Sequence, residues 1–203
     1  MGISERRVRE KESLRQEIID AAREIFVAEG YESLSMRKVA ERIEYSPTTI
    51  YLHFKDKTEL LREVCEEAFT KLGDAVRDAK ETGIDSMDVM MKGLNAYIRF
   101  GLENPHHYEV AFVAPKDKVF NPGEYEYEGS AGHRAFDMLS GSVAACMESG
   151  DFRRDDIAKV AQTIWASIHG ITALLIMHEQ FPFVDRDILV DSVIENTIKG
   201  LQA

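Results

Sequence analysis

The sequence predicts an all-α protein of about nine helices. Apolar residues recur at three- and four-residue spacing along most of the chain, and alternating strand patterns are scarce. The 203 residues hold only 5 prolines, each placed where a helix would begin, end or give way to a loop.

The first helix is predicted from about Glu10 to Ala28, where Leu14, Ile18, Ile19, Ala22, Ile25 and Phe26 form one stripe. Gly30 closes it, because glycine tolerates positive φ. Tyr31 and Leu34 turn the chain back, and Ser35 caps a helix from Met36 to Ile43. Glu44-Tyr45 makes a turn. Ser46 caps a short third helix with Pro47 at its first position, running to about Phe54 with Ile50 and Phe54 inward. A long helix follows from about Lys57 to Lys80. Further helices are predicted at about Ser86–Glu103, His106–Val113, Ser130–Glu148, Asp155–Glu179 and Asp185–Leu201. Pro115 to Gly129 reads as a loop, and Gly150 ends the Ser130 helix.

The segment Ser35 to Lys57 carries the chemistry. Two short helices meet at a tight turn, and the second opens on small hydroxyl residues and ends in Tyr51, His53, Lys55 and Lys57. Small groups at a helix tip can approach base edges in a DNA major groove, with phosphate donors behind them. The charge pattern suits one defined contact face. The net charge is -11, from 25 Lys+Arg and 36 Asp+Glu. Residues 1–62 hold 12 of each sign, so the remaining 13 basic and 24 acidic residues place the whole excess in residues 63–203.

This N-terminal pattern resembles the TetR/AcrR family of bacterial transcriptional regulators. The resemblance rests on Phe26, Gly30-Tyr31, Ser35 to Ala40, Tyr45 to Lys57 and Leu60-Leu61. Trp165 with His169-Gly170 resembles a C-terminal domain variant that carries these residues in its penultimate helix. Two positions depart from the pattern. Glu44 stands where the turn usually has Gly, which predicts a strained positive φ. Thr48 stands where Gly is common near the tip, which changes the bases read.

The resemblance implies a helix-turn-helix DNA-binding domain over 1–56 and a ligand-binding and dimerisation domain over 57–203. It assigns DNA contacts to Arg37, Ser46, Pro47, Thr48, Thr49, Tyr51, Leu52, His53 and Lys57. Arg37 meets a base edge or a phosphate. Pro47, Thr48, Thr49 and Leu52 face bases, while Tyr51, His53 and Lys57 hold phosphates. Lys57 also opens a helix, whose free N–H groups favour an anion. For Tyr51, packing in the core is the alternative. The basic stretch Arg6, Arg7, Arg9, Lys11 and Arg15 reads either as a disordered arm that touches DNA or as a solvated tail.

Candidate ligand contacts in the body are Tyr97, Phe100, Tyr108, Phe112, Phe136, Leu139, Met147, Trp165, Ile168 and His169. The acidic body favours a neutral apolar or cationic effector over polyanions such as acyl-CoA. Ile157 to Leu175 and Ile188 to Leu201 supply apolar faces for pairing with a second copy, because one short reading helix contacts too few base pairs. The implied partners are a double-stranded DNA operator, a small-molecule effector and a homodimer mate. The implied activity is a repressor released by that effector; the alternative is a DNA binder or adaptor controlled by a protein partner.

No cofactor, metal site or enzymatic motif is predicted. His106-His107 point about 100° apart on a helix, and no Ser-His-Asp set, HExxH, P-loop or GxGxxG is visible. Cys65 and Cys146 read as reduced cytoplasmic thiols. The start is Arg- and Glu-rich, with no signal peptide expected. The longest unbroken apolar run, around Ile171 to Met177, is far shorter than a membrane span, so no membrane partner is expected.

Overall fold

A computed structural model describes residues 3–113 and 128–202. The described residues form nine α-helices: α1 Ile3–Glu29, α2 Met36–Arg42, α3 Pro47–Tyr51, α4 Lys57–Lys80, α5 Ser86–Glu103, α6 Pro105–Val113, α7 Ala131–Ser149, α8 Ile157–Met177 and α9 Arg186–Lys199. A single 3-10 turn spans Tyr31–Ser33. The loop expected over Pro115 to Gly129 lies outside the described residues up to position 127.

The chain divides into two compact units. The first comprises Met1–Ala68 with His106–Tyr127, and the second comprises Phe69–Pro105 with Glu128–Ala203. In the first unit the predicted stripe of α1 packs with Met36, Val39 and Ala40 of α2, Ile50 of α3, Phe54, and Leu60, Leu61 and Val64 of α4. Val110 of α6 joins this core. The Cys65 thiol donates to the Val110 carbonyl at 3.4 Å. In the second unit α5, α7 and α8 pack on one another and α9 packs on α8. An isolated antiparallel bridge, Phe152 with Gln202, ties the chain end to the segment after α7.

Local chemistry explains most boundaries. Side-chain oxygens of Ser35, Ser46, Asp85, Ser130, Asp156 and Asp185 each accept an N–H from the first turn that follows. Gly30 at φ 80° and Gly150 at φ 86° occupy left-handed backbone at the ends of α1 and α7. Glu44 has φ 59°, the strained turn the sequence predicts.

Three expectations are corrected. First, α1 starts at Ile3 rather than near Glu10, so the basic N-terminal stretch is helix and not a disordered arm. The Arg6 Nε–Glu10 Oε1 pair at 2.8 Å, one turn apart, supports it without any core contact. Second, α3 ends at Tyr51, three residues before Phe54. The Phe54 N–H still reaches the Ile50 carbonyl at 3.0 Å, which keeps both side chains inward. Third, α8 has the length and hydropathy of a membrane helix. By length and average apolarity its 21 residues could cross a membrane, yet only 39% of the most apolar stretch is buried. Isolated Lys159, Gln162 and His169 interrupt the apolar runs in the sequence and hide this average. A core or interface helix meets the same criterion.

Candidate nucleic-acid interface

The reading helix is held by its own cap and by its core side. Ser46 Oγ accepts the Thr49 N–H at 3.2 Å and lies 3.0 Å from Thr49 Oγ1. Ile50 and Phe54 are fully buried and anchor the helix from behind. The opposite face is open. Leu52 is 75% exposed and Tyr51 is 55% exposed, which removes the core alternative for Tyr51. Ser46, Pro47 and Thr48 are exposed, whereas Thr49 is half-buried with its hydroxyl engaged by the cap. The predicted base-facing side chains left open are therefore Pro47, Thr48 and Leu52.

The predicted phosphate contacts are less uniform. Arg37 is exposed on α2, its Nε donating to Glu41 Oε1 at 2.9 Å one turn on. Such a solvent-exposed pair is weak and can exchange Glu41 for a phosphate. Lys57 is half-buried: its Nζ donates to the Tyr31 carbonyl at 2.5 Å and sits 3.7 Å from the centre of the Tyr31 ring. The start of α4 is already occupied by carboxylates. Asp56 Oδ1 accepts the Glu59 N–H at 2.9 Å, and Glu59 Oε2 accepts the Lys55 N–H at 2.5 Å. These caps compete with the anion site expected there.

His53 is half-buried, and its Nδ1 has no hydrogen-bond partner among the described residues. Burial, then the charges of Lys11 and Arg15, hold its imidazole below the ordinary pKa. It is therefore neutral at neutral pH, a hydrogen-bonding rather than a charged group. Sequence reasoning missed Lys11 and Arg15 as neighbours of this helix, although their four-residue spacing was a usable signal.

The second unit brings together several predicted ligand contacts. The Tyr97 hydroxyl lies 3.1 Å from His169 Nδ1, and Trp165 Nε1 donates to the same oxygen at 3.4 Å. The Trp165 ring centre lies 5.7 Å from that of His169 and 6.1 Å from that of Phe136. Tyr97, Phe100, Met147 and Ile168 are buried, while Phe136, Leu139, Trp165 and His169 are half-buried. The result is an aromatic wall with one hydrogen-bonding seam. Tyr108 and Phe112 fall in the first unit, with their ring centres 4.7 Å apart. The sequence also gave no sign of the knot in which Ser86, Ser149 and Asp151 share hydrogen bonds of 2.6–2.8 Å. Cys146 donates to the Ser86 carbonyl beside it, and burial, then Asp151 and Asp85, push its thiol up to about 11. Neither cysteine forms a disulfide, and both are buried.

Comparison with known proteins agrees with this architecture. The pattern of the bacterial regulatory proteins of the tetR family matches residues 18–64. That of the tetracyclin repressor-like C-terminal domain matches residues 90–197. The chain is 32% identical over 102 residues to the HTH-type transcriptional regulator YobS of Bacillus subtilis, a match covering 50% of this chain and 52% of that one. The match thus spans about half the length of that curated relative. A tetR-family regulatory protein of Rhodococcus RHA1 superposes with a TM-score of 0.76 at 21% identity, over 93% of this chain and 97% of that chain. The transcriptional regulator FadR of Bacillus subtilis, solved in complex with stearoyl-CoA, gives a TM-score of 0.73 at 19% identity, over 92% and 99%. At these identities the two structures attest the fold. With an exposed, capped reading helix in the first unit and both family patterns matched in order, the chain belongs to the TetR family, whose members are DNA-binding transcriptional regulators and not enzymes.

Proposed function

We propose that this protein is a ligand-controlled repressor. A homodimer in the cytoplasm holds a palindromic operator, with two copies of α3 about 34–36 Å apart in successive major grooves. The observation that carries this reading is the open face of α3, with Thr48 and Leu52 exposed on a helix fixed from behind by Ile50 and Phe54. Residues 1–56 do the reading, and residues 57–203 bind the effector and the second copy. Because α4 continues from the first unit into the second, an effector that favours one position of α4 changes the spacing of the two readers. It must bind the released state better than the DNA-bound one. A coupling of about 1–3 kcal/mol changes operator affinity some 5- to 150-fold.

The effector site is the aromatic wall of Tyr97, Phe136, Trp165 and His169, where one polar group of an otherwise apolar molecule can join the hydrogen-bonding seam. The relative solved with stearoyl-CoA raises a fatty acyl thioester as a candidate. The acidic balance of residues 63–203 opposes its polyanionic head and favours a neutral or cationic apolar effector.

The test is binding to DNA flanking the protein's own coding region, across a salt series, followed by a thermal-shift screen that includes apolar cations, fatty acids and acyl-CoA. Sequence-specific retention with a steep salt slope is expected, together with a ligand that raises the melting temperature and releases the DNA. Retention that no small molecule relieves would leave a protein partner as the control. A ligand that tightens DNA binding would make the protein a ligand-dependent binder instead.

A further inference from the structure

The first side chain of the α1 stripe that is fully buried is Ile18, and Leu14 is half-buried. Yet α1 begins at Ile3, and residues 5–13 are exposed helix that overhangs the core. This overhang carries Arg6, Arg7, Arg9 and Lys11. Arg6 is paired with Glu10. Arg7, Arg9 and Lys11 have no hydrogen-bond or ion-pair partner among the described residues.

A helix turns about 100° per residue, so Arg7, Lys11 and Arg15 lie one turn apart along one flank. Arg9 is two residues from both Arg7 and Lys11 and points to the opposite side. The flank is fixed in space by Arg15, whose guanidinium lies 4.8 Å from the centre of the Phe54 ring, immediately after His53. Lys11 also bears electrostatically on His53. The stripe therefore starts beside the end of the reading segment and runs outward. Arg15 is held by Glu63 at 2.7 Å, which leaves Lys11 and Arg7 as the available cations. Arg7 lies about 12 Å beyond Arg15 along the helix axis. Lys11 lies about 6 Å beyond Arg15, so the two available cations are one helical turn apart.

We propose that the overhang of α1 is a second DNA contact, in which Lys11 and Arg7 hold backbone phosphates flanking the sequence read by α3. It adds affinity without reading bases. The proposal rests on α3 entering the major groove. Duplex DNA is the occupant because the stripe starts beside His53, next in the chain to the exposed Tyr51 and Leu52, and its unpaired cations complement a phosphate strand.

The probe is a duplex selected from a randomised library by the full chain, prepared both with flanking base pairs and trimmed to the selected core. Arg7→Ala/Lys11→Ala is expected to weaken binding to the long duplex by about tenfold or more and to flatten the salt slope by about 2 per bound chain. Base preference stays unchanged, and on the trimmed duplex the double variant equals wild type. Arg9→Ala behaves as wild type on both. Alanine favours helix, so circular dichroism holds constant across these variants.

The proposal is overturned by a double variant that keeps wild-type affinity and slope, by an equal loss in Arg9→Ala, or by a loss that persists on the trimmed duplex. Thr48→Ala separates the two readings. If it leaves base preference untouched while the double variant loses affinity as described, the base-reading role of Thr48 fails, while α3 in the groove and the overhang contact stand. The opposite pattern removes the overhang alone, and a library that yields no duplex removes both.

Discussion

Glu44 sits at φ 59°, where a Cβ crowds the backbone and glycine would not. Glu44→Gly should therefore raise stability, by up to about 1 kcal/mol after the added freedom of the unfolded chain is subtracted. The measurement is the melting temperature, with DNA affinity followed alongside. A fall would mean that the Glu44 side chain makes a contact worth more than the strain. This residue was legible in the sequence because a turn position depends on its immediate neighbours. The same holds for the caps Ser35 and Ser46, whose partners lie three residues away. Lys57 was read only in part, since its ammonium rests on Tyr31, 26 positions earlier in the chain. Nothing in local spacing announces that contact. Nor does it announce the seam from Tyr97 to Trp165 and His169, whose members were each named but could not be joined.

Among the elements, α3 is the most dependent on its ends. It has five residues, too few to be stable without its cap and its buried anchors. Ser46→Ala should cost about 1 kcal/mol by releasing the Thr49 N–H. It should weaken binding to every DNA sequence alike, because the tip of the helix frays. Thermal denaturation and a binding panel over several duplexes check this, and a changed base preference at unchanged stability would contradict it. At this scale periodicity reported packing rather than helix. It found the buried part of α1 and the full extent of α5, and it was silent about residues 3–9, where helix continues without an apolar stripe. The charged i, i+4 spacing of Arg6 and Glu10 was a local sign.

For the whole molecule the decisive surface is on α8 and α9. Val160, Ile164, Ile168 and Ile171 face the core of the second unit, while Leu174 (47%) and Met177 (59%) are exposed, as is Ile188 on α9. This is the surface on which the proposed homodimer would pair. Leu174→Glu/Met177→Glu should leave helix content intact and convert a dimer to a monomer in sedimentation, with DNA binding falling at least tenfold as one reader is lost. A double variant that remains dimeric would place the interface elsewhere. The two apolar faces were visible in the sequence, but which residues each chain covers for itself was not. Neither was the grouping of His106–Tyr127 with the first unit, which depends on contacts such as Cys65 with Val110.

In the proposed homodimer, a helix more apolar than one copy shelters also makes copy number a folding variable. A newly made chain stays adhesive until it meets another, and mass action sets how long that takes. Proteolysis of solitary chains would then put a floor under the abundance at which this regulator can act at all.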